Sequence, residues 1–151
     1  MSAPVLLALA GPADLDALLP LLARFSGTQG IAFDAVQAGA ALGALLADRA
    51  LGRAYRIVEG GETRGYAVLT FGFSLEWGGR DAFVDEIFVE AEHRAQGLGR
   101  AALRALMQEA RALGVRALHL EVEAGNAAGQ ALYRGEGFSG SERQLLSRRL
   151  S

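Results

Sequence analysis

Residues 94–100, reading Arg94-Ala95-Gln96-Gly97-Leu98-Gly99-Arg100, put two glycines where an apolar strand pattern (Ala82 to Val89) gives way to a helical one (Leu98 to Leu113). Gly97 and Gly99 have no Cβ, so the backbone there can curl tightly and bring a run of N–H groups up to an anion. The positive end of the following helix points at the same spot. That chemistry is phosphate capture, and the length of the loop suits a pyrophosphate. Just upstream, Asp85 and Glu86 stand side by side among Phe83, Val84, Ile87, Phe88 and Val89. Burying a carboxylate without a partner is costly, so an acid in this segment is expected to have a task. Neighbouring strand residues point to opposite faces, which allows only one of the two into a given pocket.

The elements that must carry these groups can be read from periodicity. Val5 to Ala10 reads as a strand, Ala13 to Phe25 as a helix behind Pro12, and Phe33 to Asp48 as a second helix with Ala41, Leu42, Leu45 and Leu46 on one face. Ala54 to Glu59, Gly65 to Phe73 and Ala82 to Val89 read as three antiparallel strands, separated by Gly60-Gly61 and Gly78-Gly79. The helix after the glycine turn sets Leu103, Leu106, Ala110 and Leu113 on one face against Arg100, Arg104, Gln108 and Arg111 on the other, and Gly114 ends it. Ala117 to Val122 is predicted as a strand, Ala127 to Arg134 as a short helix, and Phe138 to Leu150 as an irregular closing strand or hairpin. The resulting order, βααβββαβαβ, is a mixed α+β fold.

Composition narrows the class. A chain of 151 residues, 51% of them apolar, can bury one full core and is expected to form a single domain over 1–151. Cysteine is absent, which excludes disulfide scaffolds, thiolate metal sites and cysteine nucleophiles and suits a cytoplasmic protein. The run Val5 to Ala10 lacks a basic segment before it and leads straight into a helix start, so a strand is preferred over a signal peptide. A net charge of -2 argues against a nucleic-acid surface, and no apolar run reaches membrane-spanning length. All 15 basic residues are arginine, a bias of composition before function. A small-molecule partner is expected.

Gly97-x-Gly99-x-x-Ala102 also fits a dinucleotide fingerprint, with Glu121 about 20 residues on as its ribose-binding acid. Against that reading, the polar loop Glu90 to Arg94 separates strand from glycines, and too little chain follows to complete a dinucleotide fold. The pattern instead resembles the GNAT superfamily of acetyl-CoA-dependent N-acetyltransferases. Its signature, Arg/Gln-x-x-Gly-x-Gly/Ala opening a helix after the fourth strand, matches Arg94 to Gly99, and a second block matches Asn126, Leu132-Tyr133 and Gly137-Phe138. The resemblance implies a mostly antiparallel sheet of six to seven strands flanked by about four helices. It also implies acetyl-CoA as the acyl donor, and homodimers are frequent among similar proteins.

Carried over residue by residue, the resemblance implies that backbone N–H groups of Ala95, Gln96, Gly97, Leu98, Gly99 and Arg100 hold the CoA pyrophosphate while the Arg94 side chain supports the loop. The fourth and fifth strands splay apart, and the pantetheine arm pairs with backbone of Ile87, Phe88 and Val89. Tyr133 stands where the family often places the acid that protonates the departing thiolate, and Asn126 contacts pantetheine besides capping its helix. The Arg100 side chain is open between a phosphate contact and a surface charge. A direct transfer to an amine needs that amine neutral, hence a carboxylate base: Glu86 is preferred and Asp85 is the alternative. Glu76 and Asp81, with Phe73, Ser74 and Trp77 among them, suggest a cationic acceptor such as a polyamine or aminoglycoside. His93 and His119 read as structural residues, not a metal pair. A non-catalytic acyl-CoA sensor is the alternative of a different class.

Overall fold

The computed structural model describes residues 3–94 and 96–151. Five strands form one sheet whose spatial order is the chain order: β1 (Val5–Leu9), β2 (Gly52–Glu59), β3 (Glu62–Ser74), β4 (Gly79–Val89) and β5 (Ala117–His119). The first four pair antiparallel. β5 runs parallel to β4, because the chain crosses over between them through α3 (Leu98–Ala112). α1 (Leu15–Gln29) and α2 (Ala35–Ala47) lie between β1 and β2, and α4 (Ala127–Gly135) follows β5. The chain divides into two compact units, Met1–Leu120 with the sheet and three helices, and Glu121–Ser151 with α4.

Local chemistry sets the breaks. Gly60 and Gly61, at φ 59° and 79°, make the two-residue turn from β2 to β3 that right-handed strand twist favours. Asp34 caps α2, its Oδ1 accepting from Val36 N at 3.0 Å and Gln37 N at 3.1 Å. Gly114, at φ 80°, follows the end of α3 as expected.

The two faces of the sheet bury different helices. Leu18 and Leu21 of α1 and Leu42 and Leu46 of α2 pack against Ala54, Tyr66, Val68 and Phe88. On the other face, Leu98, Ala102, Leu106 and Ala110 of α3 meet Tyr55, Ile57, Ala67, Leu69 and Val84. Each fully buried leucine contributes about 1.5–3 kcal/mol of transfer free energy, so both faces are held firmly. α3 has the expected two faces: Leu103, Leu106 and Ala110 are buried, while Arg100, Arg104, Gln108 and Arg111 are exposed.

The strand count departs from the sequence expectation of six to seven. Among the described residues five strands form, and Phe138 to Leu150 contributes none. Residues 139–151 are exposed, including Leu145, Leu146 and Leu150, and a strand without a ladder partner has nothing to hold it extended. β5 is shorter than the expected Ala117 to Val122 for the same reason, since β4 pairs with it only from Asp81 to Phe83.

Candidate functional site

The glycine turn is built from one strained position and one ordinary one. Gly97 lies in the left-handed region at φ 77° and ψ 4°, capping α3. Gly99 lies inside the first turn of α3, in a helical conformation that other residues also adopt. The first helical hydrogen bond runs from Ala101 N to Gly97 O at 3.1 Å. The backbone N–H groups that precede it lie at the positive end of the helix macrodipole. The Leu98 side chain, 2% exposed, anchors the turn into the α3 core. Arg94 donates from Nε to Val89 O at 2.8 Å, with its guanidinium 5.3 Å from the Phe88 ring centroid, tying the loop back onto β4. Gln96 is exposed beside Gly97, and Ala95 lies outside the described residues.

A further anchor was not legible in the sequence. Arg64 of β3 pairs with Glu62 at 2.8 Å, and its Nη1 lies 3.1 Å from His93 Nε2. Arginine only donates, so that nitrogen of His93 accepts. Glu90 N donates to Arg64 O at 2.8 Å, so the whole approach to the glycine turn is fastened to β3.

The β4–β5 pairing is short. It consists of Asp81 with Ala117, Ala82 with Leu118 and Phe83 with His119, and no strand among the described residues pairs with that edge of β4 beyond Phe83. Backbone groups alternate sides along a strand. Glu90 N bonds β3, and a Cβ added at Gly65 would meet Phe88 O at 1.9 Å, so Phe88 also turns its backbone toward β3. Ile87 and Val89 therefore turn theirs to the open edge, where Arg94 already occupies the Val89 carbonyl. The Phe88 side chain is core, on the α1 and α2 face.

A β-bulge decides the acidic pair. Val68 pairs with Glu86, but the next residue, Leu69, pairs with Val84, which leaves Asp85 as the extra residue of β4. Strict alternation would put Val84, Glu86 and Phe88 on one face; the bulge instead sends Val84 to the α3 core and Phe88 to the α1 and α2 core. Glu86, opposite Val68, takes the α1 and α2 face and is half-buried, whereas Asp85 is exposed. Tyr66 donates its hydroxyl to Glu86 Oε1 at 2.6 Å. Burial raises the Glu86 pKa, the Tyr66 hydrogen bond pulls it down, and the Asp85 charge raises it again. Asp85 is exposed by area, yet enough protein surrounds its carboxyl that desolvation still raises its pKa.

Phe73, Ser74, Glu76, Trp77 and Asp81 lie together at the β3–β4 hairpin, the end of β4 opposite the glycine turn. Phe73 is 76% exposed and Trp77 is 51% exposed. Asp81 is engaged: its Oδ2 lies 3.0 Å from His119 Nε2, and the His119 ring stands 5.1 Å from Phe83 and 6.1 Å from Trp77. Both histidines thus have structural partners.

In the second unit, Asn126 caps α4, its Oδ1 accepting from Gly129 N at 2.9 Å. Tyr133 on that helix packs edge-on against Phe138, with ring centroids 6.2 Å apart, and burial raises its pKa above the ordinary value of 10.0. Its hydroxyl is therefore fully protonated at neutral pH and available as a donor.

A short parallel β4–β5 pairing that leaves the β4 edge free beyond Phe83, and a glycine-capped helix after β4, stand on a mixed α+β scaffold. The family model for the acetyltransferase (GNAT) family matches residues 27–138, and the chain belongs to that family, whose acyl donor is acetyl-CoA. The chain is similar to [ribosomal protein bS18]-alanine N-acetyltransferase of Escherichia coli strain K12, 46% identical over 59 residues, which are 39% of this chain and 40% of that protein. Among solved structures, an integron cassette protein from the mobile metagenome of Cole Harbour Salt Marsh is 40% identical, with a TM-score of 0.85 over 96% of this chain and 90% of that one. A structure from Clostridium acetobutylicum determined with acetyl-CoA shares the fold, at 18% identity and a TM-score of 0.80 over 95% of this chain and 96% of that one. No helix among the described residues is long and apolar enough to cross a membrane.

Proposed function

We propose that this protein is an acetyl-CoA-dependent N-acetyltransferase that moves the acetyl group directly from the thioester to a primary amine. The observation that carries the reading is the open β4 edge at Ile87 and Val89 together with the glycine-capped start of α3. In this reading the pyrophosphate sits on Gln96 to Arg100, with Ala95 completing the loop, and the pantetheine amides pair along the free edge of β4. Asn126 contacts the pantetheine arm. Glu86, or Asp85 in its place, takes the proton of the ammonium. The amine lone pair then attacks the thioester carbonyl, the C–S bond breaks, the Tyr133 hydroxyl protonates the departing thiolate, and the remaining excess proton of the new amide nitrogen passes to solvent, from which the Tyr133 phenol is restored. The chain has no cysteine, which accords with direct transfer.

For the acceptor, two classes have support. A small cationic amine fits the two adjacent carboxylates of the bulge, with Phe73, Ser74, Glu76, Trp77 and Asp81 as the further contacts expected from sequence. Engagement of Asp81 by His119 weakens its part in that argument. The similarity to an enzyme named for a ribosomal-protein alanine favours a second reading, the α-amino group of a protein N-terminus. The deciding experiment incubates the protein with acetyl-CoA and either a panel of polyamines and aminoglycosides or short peptides beginning with alanine, and measures free thiol and product mass. Turnover in one panel assigns the acceptor class. Acetyl-CoA binding with no turnover in either would favour a sensor, and preference for NAD over CoA would sink the assignment.

A further inference from the structure

Tyr66 belongs to none of the sequence motifs, yet its hydroxyl is the hydrogen-bond partner of the carboxylate at the bulge. It is 1% exposed, and its ring is fixed by Phe25 of α1 at 6.3 Å, nearly perpendicular, and by Phe88 of β4 at 6.0 Å. In the β3–β4 register Tyr66 faces Phe88 and Val68 faces Glu86, so Tyr66 and Glu86 are diagonal neighbours on one face, in the regular stretch of ladder that ends at the extra residue Asp85. The 2.6 Å contact is in the range of a hydrogen bond to an ionised carboxylate.

We propose that Tyr66 is a positioning residue for the proton-accepting carboxylate of Glu86: its hydroxyl fixes Oε1 and presents Oε2 to the acceptor amine. The proposal rests on the reading that Glu86 is the base. Tyr66 does not relay protons itself, since burial and the neighbouring carboxylates hold its own hydroxyl far above the ordinary tyrosine range. What it supplies is geometry and a counterweight. Burial and Asp85 favour the protonated, inactive form of Glu86, and the Tyr66 hydrogen bond favours the ionised, active one. Tyr66 from β3 and Asp85 from β4 are the titratable groups acting on Glu86. The side chains of α1 and α2 packed on this face, Leu18, Leu21, Phe25, Leu42 and Leu46, carry no charge.

The test measures kcat against pH for Tyr66→Phe, Glu86→Gln and the native protein, with acetyl-CoA and an amine found active in the screen. Tyr66→Phe should move the acidic limb up by about one pH unit, so that kcat on that limb falls by about tenfold at a given pH and recovers at higher pH, with an unchanged KM for acetyl-CoA. Glu86→Gln should lower kcat and abolish that limb. If Glu86→Gln behaves so but Tyr66→Phe leaves the limb in place, the positioning role is overturned while the base reading stands. If Glu86→Gln keeps full kcat, the base reading fails and takes the proposal with it. Site-specific replacement of Tyr66 by 3-fluorotyrosine covers the case in which Tyr66→Phe does not fold. Its more acidic phenol is a stronger donor and should move the limb down, and an unmoved limb would overturn the proposal.

Discussion

In the proposed reaction Tyr133 and Glu86 are asked for opposite things, and their surroundings push both pKa values the same way. Burial raises each. For a phenol that must donate a proton this is an advantage, because the hydroxyl stays protonated throughout the neutral range. Tyr133→Phe keeps the contact with Phe138 and deletes the donor, so kcat should fall by about 10²–10⁴ with little change in acetyl-CoA affinity, as read by steady-state kinetics beside calorimetry. Full activity in that variant would make Tyr133 a packing residue. For a carboxylate that must accept a proton, burial is a handicap, and the Tyr66 hydroxyl offsets it in part. Sequence reasoning offered candidates for both ends of this chemistry and missed Tyr66, because a tyrosine in a strand carries no local mark of its partner 20 residues away.

At the scale of the element, the two glycines of the turn separate. Gly97 needs its left-handed φ, and a Cβ built there meets nothing within 4 Å, so substitution acts through backbone strain alone. Gly97→Val should weaken acetyl-CoA binding by more than tenfold, whereas Gly97→Asn, a residue that tolerates this conformation, should retain most of it. Gly99 is helical, so Gly99→Ala should leave the melting temperature unchanged or slightly higher, and any loss of affinity in isothermal titration would report close approach of the ligand. Equal losses in Gly97→Val and Gly97→Asn would contradict this account. The β4–β5 junction gives a second case. Its three residue pairs are braced by Asp81 and His119, so Asp81→Ala should cost about 1 kcal/mol of stability. A residue that only steers a cation would instead raise KM in a salt-dependent way and leave the melting temperature alone.

Over the whole molecule, the raised pKa of Glu86 couples function to stability. A carboxyl whose folded pKa lies above its ordinary value of 4.5 binds more protons folded than unfolded, so stability falls as pH rises through that window and stays reduced above it. Glu86→Gln removes the buried charge and keeps an acceptor for Tyr66. Its melting temperature should exceed that of the native protein at pH 7, by about 2–4 °C for each ~1 kcal/mol relieved in a chain of this length, and the two should converge below the ordinary carboxyl range. A lower melting temperature at pH 7 would mean that the Glu86 charge is well solvated in the folded protein.

The sequence by itself determined whatever has a local physical signature. Gly97 and Gly99 between strand and helix marked the glycine-capped start of α3, the alternation of Leu103, Leu106 and Ala110 with arginines oriented that helix, and Asn126 announced a helix cap. Tertiary structure decided whatever depends on pairing. The fate of Phe138 to Leu150 was open because a strand exists only where a neighbour completes its ladder, and five strands form without it. Asp85 and Glu86 were indistinguishable by alternation, since one extra residue in β4 changes which face each takes, and only the register with Val68 and Leu69 reveals it. The engagement of Asp81 by His119 was equally hidden. Both are polar residues of ordinary type, and the crossover through α3 is what brings them within 3.0 Å.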